Sequence, residues 1–277
     1  MIGIVVDSNS QMPASLVDRF GITVVPLPVT VNGVQYFEGV DLDADAFYAR
    51  FETGTPDVST AQPAPGQFAV AYDSLVAAGA EEILSLHIGS SVSGTVNAAR
   101  VAAADAAVPV RIVDTGTASF GITLCAWAAA EAIADGGAGV EEAALVAEHT
   151  AGTIGNVFVV KGLGLARSGG RLATDAVDGG AEGIPVLAMT AGAMHVVGHA
   201  ADLDTAADLM AAQVRAGGPG LRVGIGVADR GVAALWDLLE ARLADAANVR
   251  EVVRYRVGPT VGAHTGPGTG GVMWAGS

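Results

Sequence analysis

The sequence predicts an α/β protein of two lobes, the first with a parallel sheet covered by helices and the second with a mixed sheet plus helices. Three observations predict it. Short aliphatic runs ("IGIVVDS", "EEILSLHIG", "VPVRIVDT") alternate with Ala-rich segments of helical length through the first half, which is the signature of strands buried on both faces between helices. Beyond Asn156 the strand-like runs follow one another more closely, so a second lobe, 157–277, is expected after a first lobe, 1–156. Hydrophobic residues make up 51% of the 277, charged residues 16% and aromatics 5%, enough aliphatic and Ala side chain to fill two cores.

The elements follow in order. "IGIVVDS" is the first strand, and "NSQMPASLVDRF" reads as a helix with Asn9 or Ser10 as N-cap and Pro13 in its first turn. "ITVVPLPVTVNGVQYFEG" is extended and broken by prolines, with Asn32-Gly33 as a hairpin signal. "DADAFYARFETG", "APGQFAVAYDSLVAAGA", "SGTVNAARVAAADAA" and "GITLCAWAAAEAIADGG" read as helices. In the second lobe "NVFVVKGLGLARSGG", "IPVLAMTAGAMHVVGHA", "LRVGIGVAD" and "VREVVRYRVGP" are strand-like, while "TAADLMAAQVRA" and "GVAALWDLLEARLADAA" are helical.

Charge and cysteine content remove whole classes of function. A formal net charge of -15 repels phosphate backbones and anionic lipid headgroups, so no nucleic-acid partner is expected. No run approaches the roughly 18 apolar residues of a membrane helix, and no membrane insertion is expected. Cys125 is the one cysteine, which excludes an internal disulfide and a Cys-based zinc site; its apolar setting predicts a buried small hydrophobe. The opening residues carry no basic leader, and a cytoplasmic monomer is the expectation.

Three loops gather polar and small residues where strands end. In "DVSTAQPAPGQF" hydroxyls and an amide precede two prolines, consistent with a helix start at Ala64 or Pro65. In "HIGSSVSGTVNAAR" Ser93 is placed to cap the next helix, and Gly94 leaves its backbone open to close approach. The first turn of that helix offers N–H groups to a carboxylate or phosphate. In "TVGAHTGPGTGG" glycines and Pro267 surround His264. Taken alone, each loop is explained by capping or turn formation.

Taken together, "VVDSNSQMP", "STAQPAPGQF", "SSVSGTVNAA", "IVDTGTASFG", "LARSGGRL" and "VGAHTGPG" resemble the succession of motifs in the DegV family, the FakB-type bacterial fatty-acid-binding proteins of the EDD fold. The resemblance spans essentially the whole chain. It implies a non-catalytic carrier that holds a long-chain fatty acid such as palmitate, stearate or oleate and presents its carboxylate to a separate fatty acid kinase, which makes the acyl phosphate. It implies carboxylate-binding loops on the first lobe, and a second lobe that covers the acyl chain and supplies the histidine. Thr60 and Ser93 resemble the hydroxyls that bind the carboxylate, and His264 resembles the histidine beside them. Ser91, Gly94 and Arg171 complete the expected ligand-binding set, with no catalytic residue, metal or cofactor.

Elementary energetics agree with those roles. Hydrogen bonds to a charged group contribute about 1.5 to 3 kcal/mol each, whereas about 15 buried methylenes contribute roughly 12 kcal/mol before association costs. The tail would set affinity and the polar loops orientation.

The chain also departs from the family pattern. Ala61 stands where a serine is common, Ser168 where a basic residue is common, and "HAADLD" follows Gly198 where a basic stretch is common. These departures bear on the kinase more than on the lipid. Among rival readings, an acyl hydrolase would draw its nucleophile from Ser90, Ser91 or Ser93 with His264, yet "GSSVSG" lacks the G-x-S-x-G spacing. A phosphotransferase is opposed by Lys161, the one lysine, whose "VVKGLG" setting is not a P-loop. His195 and His199 share a face in either helix or strand, but no carboxylate accompanies them as a zinc ligand.

Overall fold

A computed structural model of the protein describes residues 1–161, 183–190 and 193–276. The chain divides into two compact units, one of residues 1–30, 34–41 and 59–153, the other of residues 31–33, 42–58 and 154–277.

The first unit is built on strands β1 (Ile2–Asp7), β2 (Thr23–Val25), β6 (Glu82–His87) and β7 (Val110–Asp114), in spatial order β2-β1-β6-β7 and parallel throughout. Val5, Val25 and Ile83 form one core with Phe68, Tyr72 and Leu75 of helix α3 (Pro65–Ala77) and Ala98 and Ala99 of α4 (Thr95–Ala103). The side chains that alternate with these, Ile4, Val6, Leu84 and Leu86, are also buried. Helices α5 (Phe120–Gly136) and α6 (Val140–Ala151) pack together and against β1, β6 and β7. Burial on both faces is why these strands carry no alternation of polar residues.

The first helix begins later than its sequence suggests. Asp7 accepts the Asn9 N–H and turns Ser8–Ser10 into a short 3₁₀ segment, after which α1 (Ala14–Phe20) starts with Pro13 as its N-cap. Neither Asn9 nor Ser10 caps it, because both backbones are already committed to the turn that leaves β1. The expected hairpin joins β3 (Pro28–Val31) to β4 (Val34–Phe37), with Asn32 at φ 50° and Gly33 at φ 79°, the pair of left-handed residues that a type I′ turn demands. Strand β5 (Val58–Thr60) completes a three-stranded sheet in the order β4-β3-β5.

The second unit has a six-stranded sheet. Its strands are β8 (Gly155–Val159), β9 (Ile184–Thr190), β10 (Ala193–Ala200), β11 (Leu221–Val227), β12 (Val249–Arg256) and β13 (Gly270–Ala275), in the order β10-β9-β8-β13-β11-β12. Only β11 and β12 run parallel; the other pairs are antiparallel. Helices α7 (Leu203–Arg215) and α8 (Ala234–Leu243) bury Met210, Val214, Leu235 and Leu239 against Val223, Ile225 and Val272. Helix α2 (Ala44–Ala49), capped by the Asp43 carboxylate on Ala46 N–H at 2.7 Å, also belongs to this unit.

Candidate functional site

In the first unit the polar loops lie beyond the carboxyl ends of the parallel strands. The sheet order reverses between β1 and β6, the switch point at which open α/β sheets bind ligands. The turn Asp7–Ser10 fixes this rim. Ser8 Oγ donates to Glu38 Oε2 at 2.5 Å and accepts Leu27 N–H at 3.0 Å. Asn9 Oδ1 accepts Ser119 N–H at 2.9 Å, and the Ser10 carbonyl accepts the Thr123 hydroxyl at 2.7 Å. Ser119, the N-cap of α5, sits at φ 57° and ψ −145°, a strained conformation for a residue with a Cβ that its surroundings must hold in place.

The loop after β6 is anchored at three points. Ile88 N–H donates to Asp7 Oδ2 at 3.0 Å, Gly89 N–H to the Thr117 carbonyl at 2.8 Å, and Ser90 N–H to Asp114 Oδ1 at 3.1 Å. Burial raises the Asp114 pKa, but hydrogen bonds from Ser90 and Gly116 and the charge of Arg100 outweigh it and hold the carboxyl below its usual range. Ser91 is exposed and Ser93 half-buried.

Gly94, rather than Ser93, is the N-cap of α4. Ser93 Oγ instead accepts Thr95 N–H at 3.3 Å and lies 2.8 Å from Thr95 Oγ1. Either hydroxyl of that pair can donate; in the arrangement with Thr95 Oγ1 as donor, the Ser93 proton is left for an outside acceptor. A Cβ on Gly94 would lie 1.6 Å from Gln62 Oε1. The Gln62 amide therefore rests on the Gly94 backbone, and this brings the loop after Thr60 against the loop of Ser91 and Ser93. Thr60 itself ends β5, and the next N–H, of Ala61, pairs with the Pro28 carbonyl at 3.2 Å.

His264, read from the sequence as part of an irregular glycine loop, lies in a helix of the second unit. Helix α9 (Pro259–Thr265) places it half-buried in the last turn. A Cβ on Gly262 would lie 2.4 Å from the Tyr48 hydroxyl and 2.8 Å from Phe47 Cε1, so α9 sits directly on the aromatic rings of α2. After α9 the chain turns through Gly266 (φ 76°) and Gly268 (φ 75°), and Gly268 N–H donates to Asp229 Oδ2 at 2.6 Å. Pro259 at the first position and positive-φ glycines after the last are ordinary helix limits; the flanking glycines hid a short helix.

A family model for uncharacterised proteins of the DegV family matches residues 1–277. The chain belongs to the DegV family. A DegV domain-containing protein of Streptomyces coelicolor is 36% identical over 98% of this chain and 97% of its own. Among solved structures, a fatty-acid-binding DegV family protein from Thermus thermophilus matches with TM-score 0.88 and 29% identity, covering 100% of this chain and 99% of that one. A Thermotoga maritima protein whose structure reveals a fatty acid binding function matches with TM-score 0.86 and 25% identity, covering 100% and 99%. The α/β architecture with one parallel and one mixed sheet is thus the DegV architecture.

Of the residues that the DegV motifs single out, Thr60, Ser91, Ser93 and Gly94 lie in the first unit on two loops that meet through Gln62, and His264 lies in the second unit. Arg171, like Arg167 and Ser168, lies outside the described residues. His195 and His199 are both exposed on β10, and no group of three or more His, Cys, Asp or Glu able to hold a metal occurs among the described residues. Cys125 is buried, and burial pushes its thiol up to about 12, so it packs as an inert hydrophobe. Among the described residues no helix is long and apolar enough to cross a membrane.

Sequence reasoning missed Asp7, Ser85 and His87. All three are fully buried and linked to one another. The available signal was a carboxylate and an imidazole closing two otherwise apolar strands.

Proposed function

We propose that this DegV protein is a fatty acid carrier without catalytic activity of its own, acting in the cytoplasm. It buries the chain of a long-chain acid such as palmitate, stearate or oleate and offers the carboxylate to Thr60, Ser93, the backbone at Gly94 and His264. The observation that carries this reading is the half-buried Ser93 hydroxyl, held by Thr95 N–H and Thr95 Oγ1 beside the Gly94 backbone. A carboxylate needs such convergent donors. The fatty-acid-binding relatives in Thermus thermophilus and Thermotoga maritima support the same ligand class. We further propose that the exposed headgroup is the substrate of a separate fatty acid kinase, with Ala61 and Ser168 altering how that kinase is met.

Delipidated protein is expected to take up one acid of about 14 to 18 carbons, seen by native mass spectrometry, since that many buried methylenes outweigh the cost of association. Protein that takes up none sinks the reading. Ser93→Ala should weaken retention about tenfold, the value of one hydrogen bond to a charged group, with no ester hydrolysis before or after the change. Acyl phosphate should form only when carrier, kinase and ATP are combined.

A further inference from the structure

Asp7 closes β1 and His87 closes β6, side by side in the parallel sheet, and neither side chain reaches solvent. Asp7 Oδ2 lies 3.1 Å from His87 Nδ1 and also accepts Ile88 N–H at 3.0 Å, while Oδ1 accepts Asn9 N–H at 3.1 Å. Across the ring, His87 Nε2 lies 2.6 Å from Ser85 Oγ, which lies 3.0 Å from the Tyr72 hydroxyl. The Phe68 ring stands edge-on to the imidazole at 4.9 Å between centroids.

An Asp–His–Ser line suggests a nucleophile and its base. Ser85, however, has no exposed surface and carries Tyr72 on its hydroxyl, so no substrate carbonyl reaches it. One placement of protons satisfies every member. Tyr72 donates to Ser85, Ser85 to His87 Nε2, and His87 Nδ1–H to an ionised Asp7. Burial pushes the Tyr72 pKa up to about 12, partly offset by the Ser85 hydrogen bond, which keeps the phenol a donor. A protonated ring would reverse the Ser85 bond and leave either the Tyr72 or the Ser85 proton without an acceptor in this line, a cost that buried donors rarely bear.

We infer that Asp7 and His87 are positioning residues for the carboxylate loop, an inference that rests on the fatty acid function proposed above. The Asp7 carboxylate grips Ile88, the first residue of that loop, and His87 fixes the carboxylate in the orientation that does so. Thr115 holds the other side, donating to the His87 carbonyl from Oγ1 at 2.8 Å and from N–H at 3.2 Å. Ser91, Ser93 and Gly94 follow within one short loop, so this buried pair is the first of the three anchors that set their placement before the ligand arrives. Donors held in place in advance bind more tightly than donors that must be ordered on binding.

Nitrogen-15 NMR of the ring distinguishes the two neutral tautomers. Wild-type His87 is expected to be neutral with the proton on Nδ1; a ring protonated on Nε2, or on both nitrogens, overturns the inference without any variant. In Asp7→Asn one of the two accepting oxygens becomes an NH2 group, so either the Ile88 and His87 bonds or the Asn9 bond is lost, along with the charge that strengthened them. Palmitate should then bind about tenfold more weakly, chiefly through faster release, because one buried bond to a charged group is lost, with the far-ultraviolet circular dichroism unchanged. Wild-type protein that binds palmitate beside an Asp7→Asn variant that releases it equally slowly sinks the positioning role alone. Wild-type protein that binds no acid sinks the function itself. Should Asp7→Asn not fold, Tyr72→Phe removes only the far donor, and it should move the Nε2 resonance and speed release severalfold. An unmoved resonance and an unchanged release rate overturn the inference.

Discussion

The two units hold their functional side chains by different physics. Around Ser91 and Ser93 the first unit relies on directional hydrogen bonds to loop backbone, buried or half-buried from Asp7, Thr115 and Asn9 and exposed from Asp114. Around His264 the second unit relies on space: Gly262 lets α9 lie on Phe47 and Tyr48, and Gly271 lets β13 lie on β8. Two charged pairs of the second unit, Arg242 to Asp208 at 2.6 Å and Arg254 to Asp237 at 2.6 Å, lie at its surface. Donors on loops need directional restraint, whereas a donor on a helix is placed wherever the helix can pack.

Substitutions can break this contrast, and the largest effect is expected at Gly271. A Cβ there meets the Val157 carbonyl at 2.3 Å and Phe158 Cα at 2.5 Å, backbone atoms that cannot swing aside. Gly271→Ala should cost about 3 kcal/mol or more, read as a lower denaturant midpoint. Gly262→Ala comes next. In an open helix the change would add about 1 kcal/mol of stability, but contact with the buried Tyr48 and Phe47 rings should reverse the sign. Equilibrium unfolding measures that sign, and a stabilised variant would show that α9 does not depend on close packing.

Acid should act on the first unit. The Asp114 carboxyl is held below its usual pKa by Ser90, Gly116 and Arg100 against the opposing effect of burial. A depressed folded pKa contributes stability that is present above the unfolded value, about 3.9, and is lost as pH falls through the lower folded value. Retention of a bound acid should therefore weaken as pH drops below about 4, and Asp114→Asn should flatten that part of the profile. The smallest effect is expected at Arg254, whose pairs with Asp237 and Glu240 lie in solvent. Arg254→Ala should shift stability by about half a kcal/mol or less, and the shift should vanish in concentrated salt.

The sequence made the repeating framework legible because that framework is local. The aliphatic run at Ile2–Asp7, the left-handed pair Asn32-Gly33 and the helix start at Pro65 each follow from a few adjacent residues. The polar core was not legible, because His87 meets Asp7 across 80 residues and Ser119 meets Asn9 across 110. The His264 helix was lost for the opposite reason. It has seven residues, includes Gly262 and ends in a glycine turn, so its propensity is poor and only its seat on α2 makes it helical. Ser93 was read as a cap because serine prefers that position, yet the chain places it one residue too early and uses Gly94.

Cys125, enclosed in α5 with its thiol pushed up to about 12, has one further consequence. A thiol reagent reaches it only when α5 opens, so the labelling rate of the unaltered chain is a clock for the breathing of the first core. Run with and without a bound acid, that clock would report how far ligand stiffens a helix whose start is tied to Asn9 and Ser10, without a single introduced probe.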